Sequence, residues 1–164
     1  MIRLWALLLC LTACVGTGAS ATVDLDTAAA PLARQLCEVC GMTVDDQVSP
    51  RGQALHRDGT HVHFCSIGDM RAYMDAPSPR GAPVALHVES VPGGFEPASK
   101  DTSARPWVSA KTAFYVVGFE RPGIMGKPVA SFERADEAAA AAERLGGRVV
   151  TWEQLRKTPS YEVP

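Results

Sequence analysis

The sequence predicts an α+β fold of two successive ββαβ units, with antiparallel or mixed sheets and helices packed on one side. Three observations carry this. The order of two short strand-like runs, a helical pattern and a closing strand occurs twice along the chain. A Pro/Gly/Ser-rich stretch at 92–106 separates the two occurrences. The second occurrence holds five consecutive alanines, Ala138 to Ala142, which predict a helix.

In chain order, residues 53–57 and 60–64 read as a β-hairpin with a two-residue turn at Asp58-Gly59. Ser66 with Asp69 three residues later has the spacing of an N-cap and a capping-box-like partner. A helix is expected over 67–75, with Ile67, Met70 and Met74 on one face as core residues. Pro77 to Pro83 ends that pattern, and 84–88 reads as a strand. In the second unit the strands are 113–119 and 128–132, joined by a Gly/Pro-rich loop. The helix runs over 136–145 and stops at Gly146-Gly147. A strand at 148–152 and a helical turn at 153–157 complete the unit. The expected divisions are 34–91 for the first half, 92–107 for a connecting loop, 108–157 for the second half and 158–164 for a tail.

The N-terminus is an address. Arg3 precedes an apolar run from Leu4 to Leu11, too short to span a bilayer, which takes about 20 residues, but suited to a signal-peptide core. Leu11-Thr12-Ala13-Cys14 looks like a lipobox, so residues 1–13 are expected to be removed and Cys14 to be lipidated. Residues 14–33, small and polar for the most part, read as a flexible tether. The mature chain is expected to be periplasmic, held to a membrane through its lipid and sorted to the outer membrane. Sixteen Lys and Arg against 18 Asp and Glu give a net charge of −2, and removing Arg3 makes it −3. No basic surplus exists for nucleic acid.

Five cysteines are present. Cys10 leaves with the signal and Cys14 takes the lipid, so Cys37, Cys40 and Cys65 remain. An odd number is a poor disulfide framework but a reasonable start to a metal site. Cys37-Glu38-Val39-Cys40-Gly41-Met42 is the densest signal. Two thiols in C-x-x-C spacing can face one ion, and Met42 adds a thioether. Such soft ligands select Cu(I) over hard cations. The same spacing also fits a redox pair, half a zinc site or a Cys37–Cys40 disulfide. A two-residue hairpin turn would put His56, His61, His63 and Cys65 on one face and Leu55, Val62 and Phe64 on the core face. That face is either a copper or zinc site or a solvated polar surface; His87 is expected to be polar surface. Met125, in a loop between strands, either caps the core or reaches a metal as a mobile thioether. No nucleophile–base pair, phosphate loop or H-E-x-x-H helix is present, so nothing argues for an enzyme.

At these residues the chain resembles the NosL family, the lipoprotein accessory factors for assembling nitrous oxide reductase. The likeness covers roughly 36–155, including Cys40-Gly41-Met42, Asp58-Gly59, Phe64, Asp69-Met70, Met125-Gly126 and the alanine-rich helix ending in Gly146-Gly147. The resemblance implies a periplasmic Cu(I)-binding chaperone with a tandem ββαβ fold. Its partners would be a membrane-associated maturation complex or the apo-reductase. It also implies ligand roles for Cys40, Met42 and Met125, with Cys37 falling where the family has Met or Cys. Cys37, Cys40 and Cys65 with Phe64 and Ser66 also resemble a YHS or TRASH metal-binding module. That module is shorter and wants a cysteine where this chain has Asp69. A thiol-disulfide oxidoreductase using Cys37 and Cys40 is the other alternative.

Overall fold

The computed structural model describes residues 27–97, 99, 102, 105–120 and 127–157. The lipobox with Cys14, the loop carrying Met125 and the tail lie outside them.

The first unit contains strands β1 (Gly52–Leu55) and β2 (His61–Phe64), helix α1 (Ile67–Asp75) and strand β3 (Ala85–Glu89). A further strand, β4 (Trp107–Ser109), follows the connecting stretch. The second unit contains β5 (Phe114–Val117), β6 (Ala130–Phe132), α2 (Ala135–Leu145), β7 (Arg148–Thr151) and α3 (Trp152–Lys157). Sheet one has the order β2-β1-β3-β4 and sheet two β6-β5-β7. All strand pairs are antiparallel. In both units the first strand is central, the second flanks it on one side and the strand after the helix on the other. The repeat read from element order is therefore a repeat of topology. β4 is new: a Pro-rich stretch gives little strand signal by itself, and these residues extend because the free edge of β3 offers them hydrogen bonds.

The hairpin register differs from the expectation by one residue. Leu55 pairs with His61, Ala54 with Val62 and Gln53 with His63. The connection is longer than two residues because the His56 carbonyl accepts from Gly59 N–H while His56 N–H donates to Thr60. Gly59 takes the left-handed conformation at φ 82°. This is a turn closed by a glycine bulge, and the extra residue moves the partner strand by one. Because side chains alternate, a one-residue slip exchanges the faces.

The core sits where the two units meet. Phe64, Ile67, Met70 and Val62 of the first unit join Tyr115, Val117, Val150, Trp152 and Leu155 of the second in one buried cluster. Met70 is core as expected, and Met74 packs against the cluster while partly buried. Helix α1 comes close enough to β1 that a Cβ on Gly52 would lie 2.8 Å from the Met70 sulfur, so a larger residue there would push the Met70 side chain aside. A second cluster joins Ala138, Ala141 and Ala142 of α2 to Val116, Ala130 and Phe132. Sheet two is thus covered on one face by α2 and on the other by the shared core. The units are also tied by polar groups: Ser131 Oγ donates to the Glu89 carbonyl, and Val91 N–H donates to the Ser131 carbonyl at 2.8 Å. Glu89, itself buried, accepts from Arg51 Nε at 2.8 Å, and Arg105 lies 3.9 Å from it. Such a buried ion group is costly to break, because one orphaned charge would remain.

Candidate metal centre

The centre is built on the junction of β2 and α1. Residues 35–44 form a small loop beside β2: Leu36 bridges Thr43, and Cys37 bridges His63 in parallel. Glu38 N–H donates to the His63 carbonyl at 3.0 Å, fixing the loop to the strand edge. Within the loop, Cys37 N–H donates to the Met42 carbonyl at 2.8 Å and Gly41 N–H to the Cys37 carbonyl at 2.9 Å. Gly41 has φ 72°, a conformation that other residues adopt only with strain, so the tight return behind Cys40 depends on it. Cys65 comes from the end of β2, and Asp69 from the first turn of α1.

These elements bring Cys37, Cys40, Cys65 and Asp69 together, with one candidate ligand atom from each lying within 4.8 Å of all the others. The Cys40 and Cys65 sulfurs are 3.4 Å apart. Cys65 Sγ is 2.8 Å and Cys37 Sγ 3.6 Å from Asp69 Oδ2. Cys37 and Cys65 are buried, whereas Cys40 is exposed. The cluster thus has two sulfurs fixed in the core and one at the surface.

Burial is the main reason the Cys37 thiol is pushed up; backbone N–H groups of Cys65, Cys40 and Val39 aimed at its sulfur oppose the shift. Cys65 is pushed up further, by burial first and then by its hydrogen bonds with Asp69 and Cys40. Both buried thiols therefore hold their protons more tightly than a solvated thiol does, and a bound cation displaces them.

Asp69 is the residue that element-by-element reading missed. Its backbone N–H donates to the Ser66 hydroxyl at 3.0 Å, as an N-cap requires. The carboxylate does not close a reciprocal box; it turns to the sulfurs. The usable signal was the YHS-like spacing, which wants a metal-binding residue at this position.

The other expected candidates are distributed differently. Met42 is on the loop with an exposed side chain, held there through its carbonyl, which accepts from Cys37 N–H. His56 is fully buried, with Nε2 at 2.9 Å from the Tyr73 hydroxyl and its ring edge-on to that tyrosine. The corrected register places it with Val62 and Phe64 rather than with the other histidines. His61 and His63 share the opposite sheet face with Gln53 and His87, since β3 pairs His87 with Gln53. Among the described residues, none of the four histidines belongs to the sulfur cluster. Burial holds His63 and His87 below the usual imidazole range, and His61 adds to both shifts. Gln53 exchanges two hydrogen bonds with Ala30, at 2.8 and 2.7 Å, so a segment read as tether is fastened to this face.

Comparison with known proteins adds to this geometry. A family model described as NosL matches residues 28–159. A protein of Stutzerimonas stutzeri named copper-binding lipoprotein NosL is 34% identical over 119 residues, which are 73% of this chain and 60% of that protein. One of the same name from Achromobacter cycloclastes is 32% identical over 114 residues, 68% of this chain and 58% of its own. This chain therefore spans about 60% of the length of those curated relatives. The crystal structure of the copper chaperone NosL from Shewanella denitrificans superposes with a TM-score of 0.66 at 23% identity, covering 78% of this chain and 95% of that one. That likeness establishes the α+β fold.

Proposed function

This chain belongs to the NosL family, and on that premise we propose that it is a copper carrier outside the cytoplasm. It takes up Cu(I) at Cys37, Cys40 and Cys65 and passes it to a copper enzyme under assembly. The observation that carries this reading is the sulfur cluster: three thiols from two separate segments converge on one point with one of them exposed. Three thiolates suit a soft monovalent ion, and the exposed one lets a recipient begin an exchange of ligands before the buried pair lets go. Three exposed apolar side chains, Leu36, Val39 and Met42, surround Cys40 in sequence and offer the recipient a dry surface. Met42 and Met125 belong to the same proposal as thioether donors that take the ion in passing during transfer. The names of the relatives support copper as the cargo and a lipoprotein as the carrier. Lipidation at Cys14, anchoring to the outer membrane and nitrous oxide reductase as recipient extend the same proposal. The chain's role is transport rather than catalysis.

Asp69 favours one rival. Three thiolates and a carboxylate make a four-ligand set suited to tetrahedral zinc. Anaerobic loading of the reduced mature protein with Cu(I) and with Zn(II), followed by X-ray absorption at each metal edge, decides between them. One copper per chain in an all-sulfur shell, held against excess zinc, is the expected result. Stoichiometric zinc that copper does not displace overturns the copper reading. In a deletion strain under copper limitation, nitrous oxide reductase should lose copper; a fully metallated reductase would assign another recipient.

A further inference from the structure

The cluster brings a sulfur from outside the C-x-x-C motif into contact with one inside it. Cys40 Sγ meets Cys65 Sγ at 3.4 Å, across 25 residues of chain, while Cys37 directs its sulfur to the Asp69 carboxylate. A disulfide needs the sulfurs at about 2.0 Å, so the gap to close is about 1.4 Å. Exposure divides the three thiols as well: Cys40 is open to solvent, whereas Cys37 and Cys65 are 3% and 6% exposed. An external oxidant therefore meets Cys40 first, and Cys65, with its sulfur already in contact, stands ready to resolve the product.

We propose that Cys40 and Cys65 form a reversible disulfide with a disulfide-bearing oxidant, and that this bond closes the metal centre. The Cys40 thiol attacks one sulfur of the oxidant, forming a mixed disulfide and releasing one thiol. The Cys65 sulfur then attacks the Cys40 sulfur of that mixed disulfide. The second thiol leaves, and the Cys40–Cys65 bond remains. Two thiols of the protein are oxidised, and one disulfide is reduced to two thiols. As Cys65 attacks, its proton passes to Asp69 Oδ2, 2.8 Å away, and from there to the departing thiolate, which leaves as a thiol. Cys37 stays a buried thiol. The consequence for copper rests on the proposed function: the closed form keeps one sulfur and one carboxylate, too few soft donors to hold Cu(I). A copper ion already in place would occupy both sulfurs and protect them.

The test treats the metal-free mature protein with oxidised glutathione and maps the products by mass spectrometry without reduction. A Cys40–Cys65 linkage with Cys37 free is expected. Cys65→Ser should stop at a glutathione adduct on Cys40, and Cys37→Ser should still form the linkage, which covers the case in which the first variant folds poorly. A Cys37–Cys40 linkage as the main product, or three thiols still free after treatment, overturns the proposal. A competing Cu(I) chelator then measures binding before and after oxidation and after dithiothreitol. Stoichiometry should fall from one copper to none and return. Failure of the reduced protein to bind copper would count against the copper reading alone, since the mapping needs no metal. An oxidised form that carries the mapped bond yet binds copper unchanged would overturn the closing role.

Discussion

The two units share one topology but differ where the helix begins. In the first, β2 runs into Cys65 and Ser66, the serine caps α1, and Asp69 turns its carboxylate to the sulfurs of Cys65 and Cys37. At the matching place in the second, β6 runs into Glu133 and Arg134. Arg134 makes no side-chain cap, and its guanidinium pairs with Asp136 at the surface. The first helix has nine residues and carries a polar group into the site; the second has eleven and lays an alanine face against its sheet. Small side chains let α2 sit close on β5 and β6, which fills space but offers no donor atoms. The same scaffold has been spent on chemistry in one copy and on packing in the other.

Four experiments break or sharpen that contrast. The largest effect is expected from Cys40→Ser, which removes the exposed ligand. Cu(I) affinity should fall by about a hundredfold or more, beyond the loss typical of outer-shell partners. Stability should move by less than about 0.5 kcal/mol, as for a surface change. Chelator competition and thermal melting read the two quantities; equal copper affinity in the variant would remove Cys40 from the site. The mirror experiment is Phe132→Ala, in the buried cluster under α2. Unfolding free energy should drop by about 3–5 kcal/mol, measured by denaturant titration, with copper affinity of the folded fraction unchanged. A large loss of affinity there would mean that the units are coupled more tightly than their separate tasks suggest.

A pH series comes next in size. Folding raises the Cys37 and Cys65 thiols above their unfolded values. The folded metal-free protein therefore holds these protons more tightly than the unfolded chain does. The stability this gives is complete below the unfolded thiol value, about 8.5, and is lost as pH rises above it. Melting of the metal-free protein should weaken above that pH, and copper affinity should rise with pH by about tenfold per unit for each thiol proton displaced. A pH-independent affinity between pH 6 and 8 would show that protons are not exchanged for copper. The smallest effect is expected from His61→Ala with His87→Ala, on a sheet face outside the sulfur cluster. Copper affinity should stay within about twofold, less than 0.5 kcal/mol; a tenfold loss would bring the histidines back as ligands.

Local pattern decided much of this protein. Helix α1 was expected over 67–75 and spans Ile67–Asp75, because cap, apolar face and the following prolines all act within a few residues. Helix α2 ends at Gly146 in the left-handed conformation, as its Gly-Gly sequence requires. The order of elements, the repeat and Cys37 and Cys40 as a pair facing one point were likewise legible. Three things were not. β4 exists only because β3 has an edge to pair with. The histidine faces turned on one extra residue in a glycine-bulged turn, a choice that the dipeptide Asp58-Gly59 does not make by itself. Above all, Asp69, offered by the sequence as a helix-cap partner, joined the three cysteines as a donor, and Cys65 left the histidine face for the C-x-x-C loop, because that loop pairs with β2 through Cys37 and His63. Sequence spacing brings together residues that a turn or a helix makes neighbours. Ligands 25 or 32 positions apart meet only when strands dock, and docking is settled by the packing of the whole core.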